Sequence, residues 1–344
     1  MDIDWRTLDE LRAAYLDGSA GEGDYWKTDS LLAGYDATFA RRIAWKWQWV
    51  LRELDRRGWQ RPEGAVVDFG CGTGVAVREV MGTYDGVAEV GLHDRSARAL
   101  TFAVNKVREE FPAVNVAARV PEAGYGLLLV SHVVPELDET GMAALLGLAE
   151  RAQAVIFVEP GTRDVSRKLT GIREKLRETG MQVVAPCTHQ NRCGMLTAEN
   201  ERHWCHFFAQ PPTEVFTDRG WALFSRELGI DLRSLPVSYL VMDRRGAGAA
   251  YPEKSVRMIG YPRMYKAHAL VLGCDAGGVA EKRLQKRTAP GFFKDFEKRR
   301  AGTLQRWETE GTEITGIGDG ERGGEGRGIL TADDTDGADE MKEG

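Results

Sequence analysis

The strongest constraint on this chain is the stretch Val66-Val67-Asp68-Phe69-Gly70-Cys71-Gly72-Thr73-Gly74, an apolar run that ends on alternating glycines. A short run of Val and Phe bounded by glycine predicts a strand buried on both faces, as in a parallel sheet. Glycines at every second position let the backbone pass close to a ligand. The helical pattern that starts near residue 75 would aim its unpaired N–H groups at the same point. This GxGxG spacing, preceded by Asp at the strand end, differs from the GxGxxG that cradles a pyrophosphate. Asp68, Gly70, Cys71, Gly72, Thr73 and Gly74 are therefore expected to line a cofactor site, with Cys71 present for its small size.

Around this loop, strand and helix patterns alternate. Apolar runs at 65–69, 87–92, 126–131 and 154–158, with a weaker one at 114–118, suit buried strands. Helical patterns at 75–82, 96–110, 139–152 and 163–179 lie between them. The expected class is α/β, a doubly wound and mostly parallel sheet. Asp94 ends the second strand about twenty residues past the glycines, where a carboxylate can accept both hydroxyls of a ribose. It could equally cap the helix that starts near Ala97. The fourth strand leads into Ser131-His132-Val133-Val134-Pro135-Glu136-Leu137, where His132 could act as a base or simply be structural. That stretch has neither an Asn/Asp-Pro-Pro-aromatic sequence nor a Pro-Cys pair. The loop resembles motif I of class I methyltransferases, which implies a Rossmann-like fold and S-adenosylmethionine (SAM); Asp94 and Ser131 are expected at the same cofactor site.

Two helices are expected ahead of the loop, at 5–16 and 31–57. The second carries Arg41, Arg42, Lys46, Arg52, Arg56 and Arg57, a basic face suited to RNA phosphates or merely to water. After Met181–Ala185 the periodicity stops at a cysteine-bearing loop. A helix at 213–228 and strands at 237–243 and 268–273 follow, with a glycine and proline stretch between the strands. Four of the five cysteines, Cys187, Cys193, Cys205 and Cys274, are spaced C-x5-C-x11-C-x68-C. In a reducing compartment four such thiols favour a metal over disulfides. Structural zinc prefers thiols two to four residues apart, so this wider spacing fits an iron–sulfur cluster at least as well. His189, His203 and His206 could complete a zinc site. The 281–306 segment interleaves basic residues with Phe292, Phe293 and Phe296, suiting nucleic-acid contact or a solvated helix.

Composition removes some classes. No apolar run is long enough to span a bilayer, and the acidic start Met1-Asp2-Ile3-Asp4-Trp5 lacks the form of a secretory or transit signal. A cytoplasmic monomer is expected. The net charge of −6 misleads, because residues 311–344 hold ten acidic against three basic side chains and ten glycines. The rest of the chain is slightly basic, and that acidic tail is expected to be disordered.

Val158-Glu159-Pro160-Gly161-Thr162, Ala185-Pro186-Cys187-Thr188-His189 and Trp204-Cys205-His206-Phe207 resemble the mitoribosomal small-subunit methyltransferase-like assembly factors and their bacterial homologues. The resemblance covers about residues 30 to 290. It implies association with small-subunit ribosomal RNA (rRNA), either as a methyltransferase or as a non-catalytic assembly factor. It also implies a 4Fe–4S cluster on Cys187, Cys193, Cys205 and Cys274. Where the family shows Cys-Pro-His and Cys-Pro-Leu, this chain has Cys187-Thr188-His189 and Cys193-Gly194-Met195. The expected regions are an N-terminal helical part (1–60), a SAM-binding core (61–185), a cysteine-rich metal-binding insertion with closing strands (186–275), a basic segment (276–310) and the tail (311–344).

Overall fold

The computed structural model describes residues 4–17, 23–246, 251–309 and 313–316. Three helices open the chain: α1 (Trp5–Asp17), α2 (Asp29–Ala37) and α3 (Phe39–Asp55). The single helix expected over 31–57 is broken at Thr38, whose hydroxyl bonds back to the Gly34 carbonyl at 2.7 Å and whose backbone leaves the helical region. The core then alternates as β1 (Val66–Phe69), α4 (Val75–Thr83), β2 (Glu89–His93), α5 (Ala97–Glu110), β3 (Asn115–Ala117), β4 (Tyr125–Ser131), α6 (Glu139–Arg151), β5 (Ala152–Pro160), α7 (Arg163–Glu178) and β6 (Gln182–Ala185). After the cysteine loop come β7 (Phe207–Ala209), α8 (Glu214–Thr217), α9 (Arg219–Leu228) and β8 (Leu235–Asp243).

The main sheet runs β3-β2-β1-β4-β5-β8-β6, with β7 beside β8. The pairs of β1, β2, β3, β4 and β5 are parallel, and β8 runs antiparallel between β5 and β6. Valines and leucines fill these strands because helices cover both faces, so no position needs to be polar. Strand order reverses between β1 and β4. In open α/β sheets the carboxyl ends at that point form the ligand crevice.

A second sheet, antiparallel, follows. It comprises β9 (Ser255–Met264), β10 (His268–Asp275), β11 (Gly278–Gln285), β12 (Leu304–Thr309) and β13 (Glu313–Gly316), in the order β11-β10-β9-β12-β13. Helix α10 (Pro290–Glu297) closes one end, packing Phe293 and Phe296 on Val256, Met258, Val271, Leu284 and Trp307. The basic stretch 281–306 is thus strand, short helix and strand rather than one solvated helix, because Leu284, Phe293 and Phe296 point into this core. The boundary expected at 275/276 falls in the turn of the β10–β11 hairpin. Of the tail expected to be disordered, 313–316 pair as β13, and 317–344 lie outside the described residues. No described helix is long and apolar enough to cross a membrane.

Candidate cofactor site and cysteine cluster

The glycine loop joins β1 to α4, and Gly70, Gly72 and Gly74 have φ of 69°, 52° and 78°. That left-handed region is open to glycine and costly for other residues. At Gly70 a side chain is also excluded by space, since a Cβ would stand 2.4 Å from Val133 Cγ2. The loop therefore lies flat against the segment that follows β4. Asp94 clamps its other side: one carboxylate oxygen accepts from the Gly72 N–H at 2.8 Å and the other from the Ser96 N–H at 2.9 Å. Ser96, rather than Asp94, is the side-chain cap of α5.

Asp68 is fully buried and accepts from the Val77 N–H at 3.2 Å. Burial, with a smaller push from Asp94, raises its carboxyl to about 7. Burial likewise lifts the Cys71 thiol well above its ordinary range, so it stays protonated. Thr73 is buried with no hydrogen-bond partner for its hydroxyl, and Ser131 accepts from the Trp47 indole N–H at 2.9 Å. Gly70, Cys71, Gly72, Thr73, Asp94 and Ser131 all line one cleft of about 890 Å3. Asp68 and Gly74 shape it from behind. These residues fit SAM: a glycine loop with open backbone, a half-buried carboxylate at the end of β2, and an orphaned hydroxyl in the wall.

In the same cleft (Lys46, His132) and behind it (Glu159) stand groups that the sequence reading missed or undervalued. Lys46, assigned to a basic face of the second helix, is instead buried, with its ammonium 3.5 Å from His132 Nε2. Arg57 turns inward too, to the Val184 carbonyl, so that helix presents no continuous basic stripe. The signal was available, because Lys46 sits between Ile43 and Val50 on the apolar side of α3. Burial first, then the Arg42 charge, lowers Lys46 to about 7. His132 takes a left-handed φ of 57°, and burial with the Lys46 and Arg42 charges holds its ring well below its ordinary value. Glu159, fully buried at the end of β5, accepts from the Val133 and Val134 N–H groups and is raised by burial to about 8.

The four distal cysteines gather from two segments, the β6–β7 connection and β10. Cys187 and Cys193 lie on the loop after β6, Cys205 precedes β7, and Cys274 ends β10. None forms a disulfide. Cys193 and Cys274 share a small core with Met195 and Ile259, and Cys205 packs against it. Burial raises the Cys205 thiol, and charge on Cys187, Cys193 or Cys274 would raise it further, so all four lie within electrostatic reach. The buried Arg173 guanidinium stands beside Cys187 and Cys193, and Cys274 Sγ is 3.6 Å from His189 Nε2. Among the described residues, however, no three His, Cys, Asp or Glu side chains stand in ion-gripping geometry. The donor set nevertheless suits an anionic cluster: four thiols, a buried cation in Arg173, and a His189 Nδ1 without a partner.

Sheet order, glycine loop and cleft define a Rossmann-like class I methyltransferase fold. The chain belongs to the mitochondrial small ribosomal subunit Rsm22 family, whose model matches residues 37–304. Similar solved structures include magnesium protoporphyrin IX methyltransferase from Synechocystis with bound SAH, at 15% identity over 70% of this chain and 100% of that one (TM-score 0.37). A candidate RNA methyltransferase from Pyrococcus horikoshii shows 15% identity over 58% and 83% (TM-score 0.36). A SAM-dependent methyltransferase from Aquifex aeolicus shows 14% over 47% and 93% (TM-score 0.34). No curated protein matches the chain.

Proposed function

We propose that this chain is a cytoplasmic, monomeric, SAM-dependent methyltransferase that acts on small-subunit rRNA during assembly of the small ribosomal subunit. The observation that carries the reading is the cleft itself, which the Asp94-clamped glycine loop lines together with Lys46 and His132. SAM, when bound, supplies an electrophilic methyl group. Asp94 would hold its ribose, and the Gly70–Gly74 backbone its methionine part. His132, kept neutral by its surroundings, is in the state needed to take a proton from an acceptor, and Lys46 beside it would favour the unprotonated ring. Asp94→Ala should weaken SAM binding roughly 10- to 100-fold by calorimetry, the value of hydrogen bonds to a charged acceptor.

The four thiols of Cys187, Cys193, Cys205 and Cys274 would hold a 4Fe–4S cluster that ties the loop to the second sheet. A colourless protein carrying stoichiometric zinc would replace that assignment with the zinc alternative. A second reading, a non-catalytic assembly factor that keeps SAM and the cluster for structure or sensing, is favoured by one observation. Ser131–Leu137 carries no acceptor-binding Asn/Asp-Pro-Pro-aromatic sequence. Mapping rRNA methyl groups by mass spectrometry in a strain lacking the gene separates the two. Loss of one modification supports the enzyme; impaired assembly with every modification intact supports the factor.

A further inference from the structure

We propose that the second sheet carries a platform for single-stranded RNA, built on Tyr261, Tyr265 and Arg299, that delivers the strand to the cofactor cleft. The proposal rests on the rRNA reading above and names the surface that would serve it. Three strands in meander, a helix, then a fourth strand paired to the first and a fifth beside it give the order β11-β10-β9-β12-β13. This is the strand order of an oligonucleotide/oligosaccharide-binding barrel, which takes its ligands on one face and on the loop between its first two strands. Here that loop, between β9 and β10, carries Tyr265 and Lys266.

Tyr261, Arg263 and Tyr265 alternate along the strand and its end, so they share one face. Tyr265 is 46% exposed and lies flat on His268, centroids 4.7 Å apart and planes 11° apart. Tyr261 stacks on Phe208 at 3.9 Å and 4°, and the Arg299 guanidinium sits 4.2 Å from its ring centre. Phe208 and Arg299 cover the two faces of Tyr261, so the surfaces offered to unpaired bases are the outer plane of the Arg299 guanidinium and the open face of Tyr265. Lys266, Lys298 and Arg300 are exposed around them, while Arg263 pairs with Glu281.

Arg299 supplies an independent observation. Its φ is 52°, and the bonds Arg299 N–H to Phe296 O and Arg300 N–H to Asp295 O close the end of α10. That closure normally places glycine at this position, so an arginine is held there at a backbone cost. The platform also reaches the cleft. Trp204 stacks on His206, whose ring meets Phe208 edge-on, and donates its indole N–H to the Gly161 carbonyl between cleft residues Pro160 and Thr162. On the other side Arg299 lies within electrostatic reach of Asp231, which also lines the cleft.

Fluorescence anisotropy of the full chain with labelled oligo(U) and oligo(A) of about 12 nucleotides, and with a matched duplex, tests this. The single strands should bind better than the duplex. Tyr265→Ala should weaken them about 10-fold with little change in salt dependence, as for a lost base stack. Arg299→Gly should weaken them by a similar factor and flatten the salt slope, while Tm stays equal or rises. Wild-type affinity in both variants, or a preference for duplex, overturns the platform. Co-sedimentation with small subunits separates the two proposals. If both variants bind oligonucleotides and sediment like the wild type, the platform fails and the rRNA reading stands. If the wild type never sediments with subunits yet binds single strands through Tyr265 and Arg299, the ribosomal reading fails and the platform stands.

Discussion

Gly70 and Glu159 are single residues on which the site can be tested. Gly70→Ala places a methyl group in a left-handed backbone position and into Val133. It should cost about 2 kcal/mol or more and weaken SAM binding, read by chemical denaturation and calorimetry. Glu159 keeps its proton to about pH 8 in the folded protein, against an ordinary value of 4.5. Between those values the folded state binds more protons than the unfolded chain, so this group's contribution makes stability fall as pH rises. Lys46, lowered to about 7, opposes that trend only above pH 7. The Tm of Glu159→Gln relative to wild type should therefore climb by about 2 °C or more from near pH 4.5 to pH 7; a flat difference would mean that Glu159 titrates normally. Asp94 was legible in the sequence because its place at the end of β2 follows from strand periodicity. Glu159 was not, because nothing local distinguishes a carboxylate at a strand end from one that meets two backbone amides across the sheet.

At the scale of elements, the cysteine loop is a connection between sheets. Arg167 donates to the Met195, Asn200, Glu201 and His203 carbonyls, and Asn200 reaches the Val279 carbonyl on β11. Anaerobically purified protein should be brown, and Cys187→Ser should remove the visible absorbance. Removing the proposed cluster should also lower Tm by about 5 °C or more, since one site would join residues far apart in sequence. The parallel strands were readable because burial on both faces makes them continuous apolar runs. Strands β9, β11 and β12 were hidden: one face of each is polar, and charged residues such as Lys282 and Arg283 on β11 read equally well as a helix surface.

Across the whole molecule, an antiparallel sheet follows a Rossmann-like core, the cysteine-bearing loop of the core touches that sheet through Asn191 and Asn200, and the Rsm22 family match reaches the start of β12. The sequence alone determined the fold class and the place of the glycine loop within it, because glycine spacing and apolar periodicity act over a few residues and need no partner to be read. Only the tertiary structure decided that Lys46 and His132 share a cleft with the glycine loop, that the thiols gather beside Arg173, and that the basic C-terminal segment is half of a second sheet. Those outcomes depend on antiparallel pairing and helix docking between segments distant along the chain, where contact is set by packing rather than by local pattern. The glycine loop marks where the proposed SAM would sit; how RNA would reach it depends on strands that the local pattern could not distinguish.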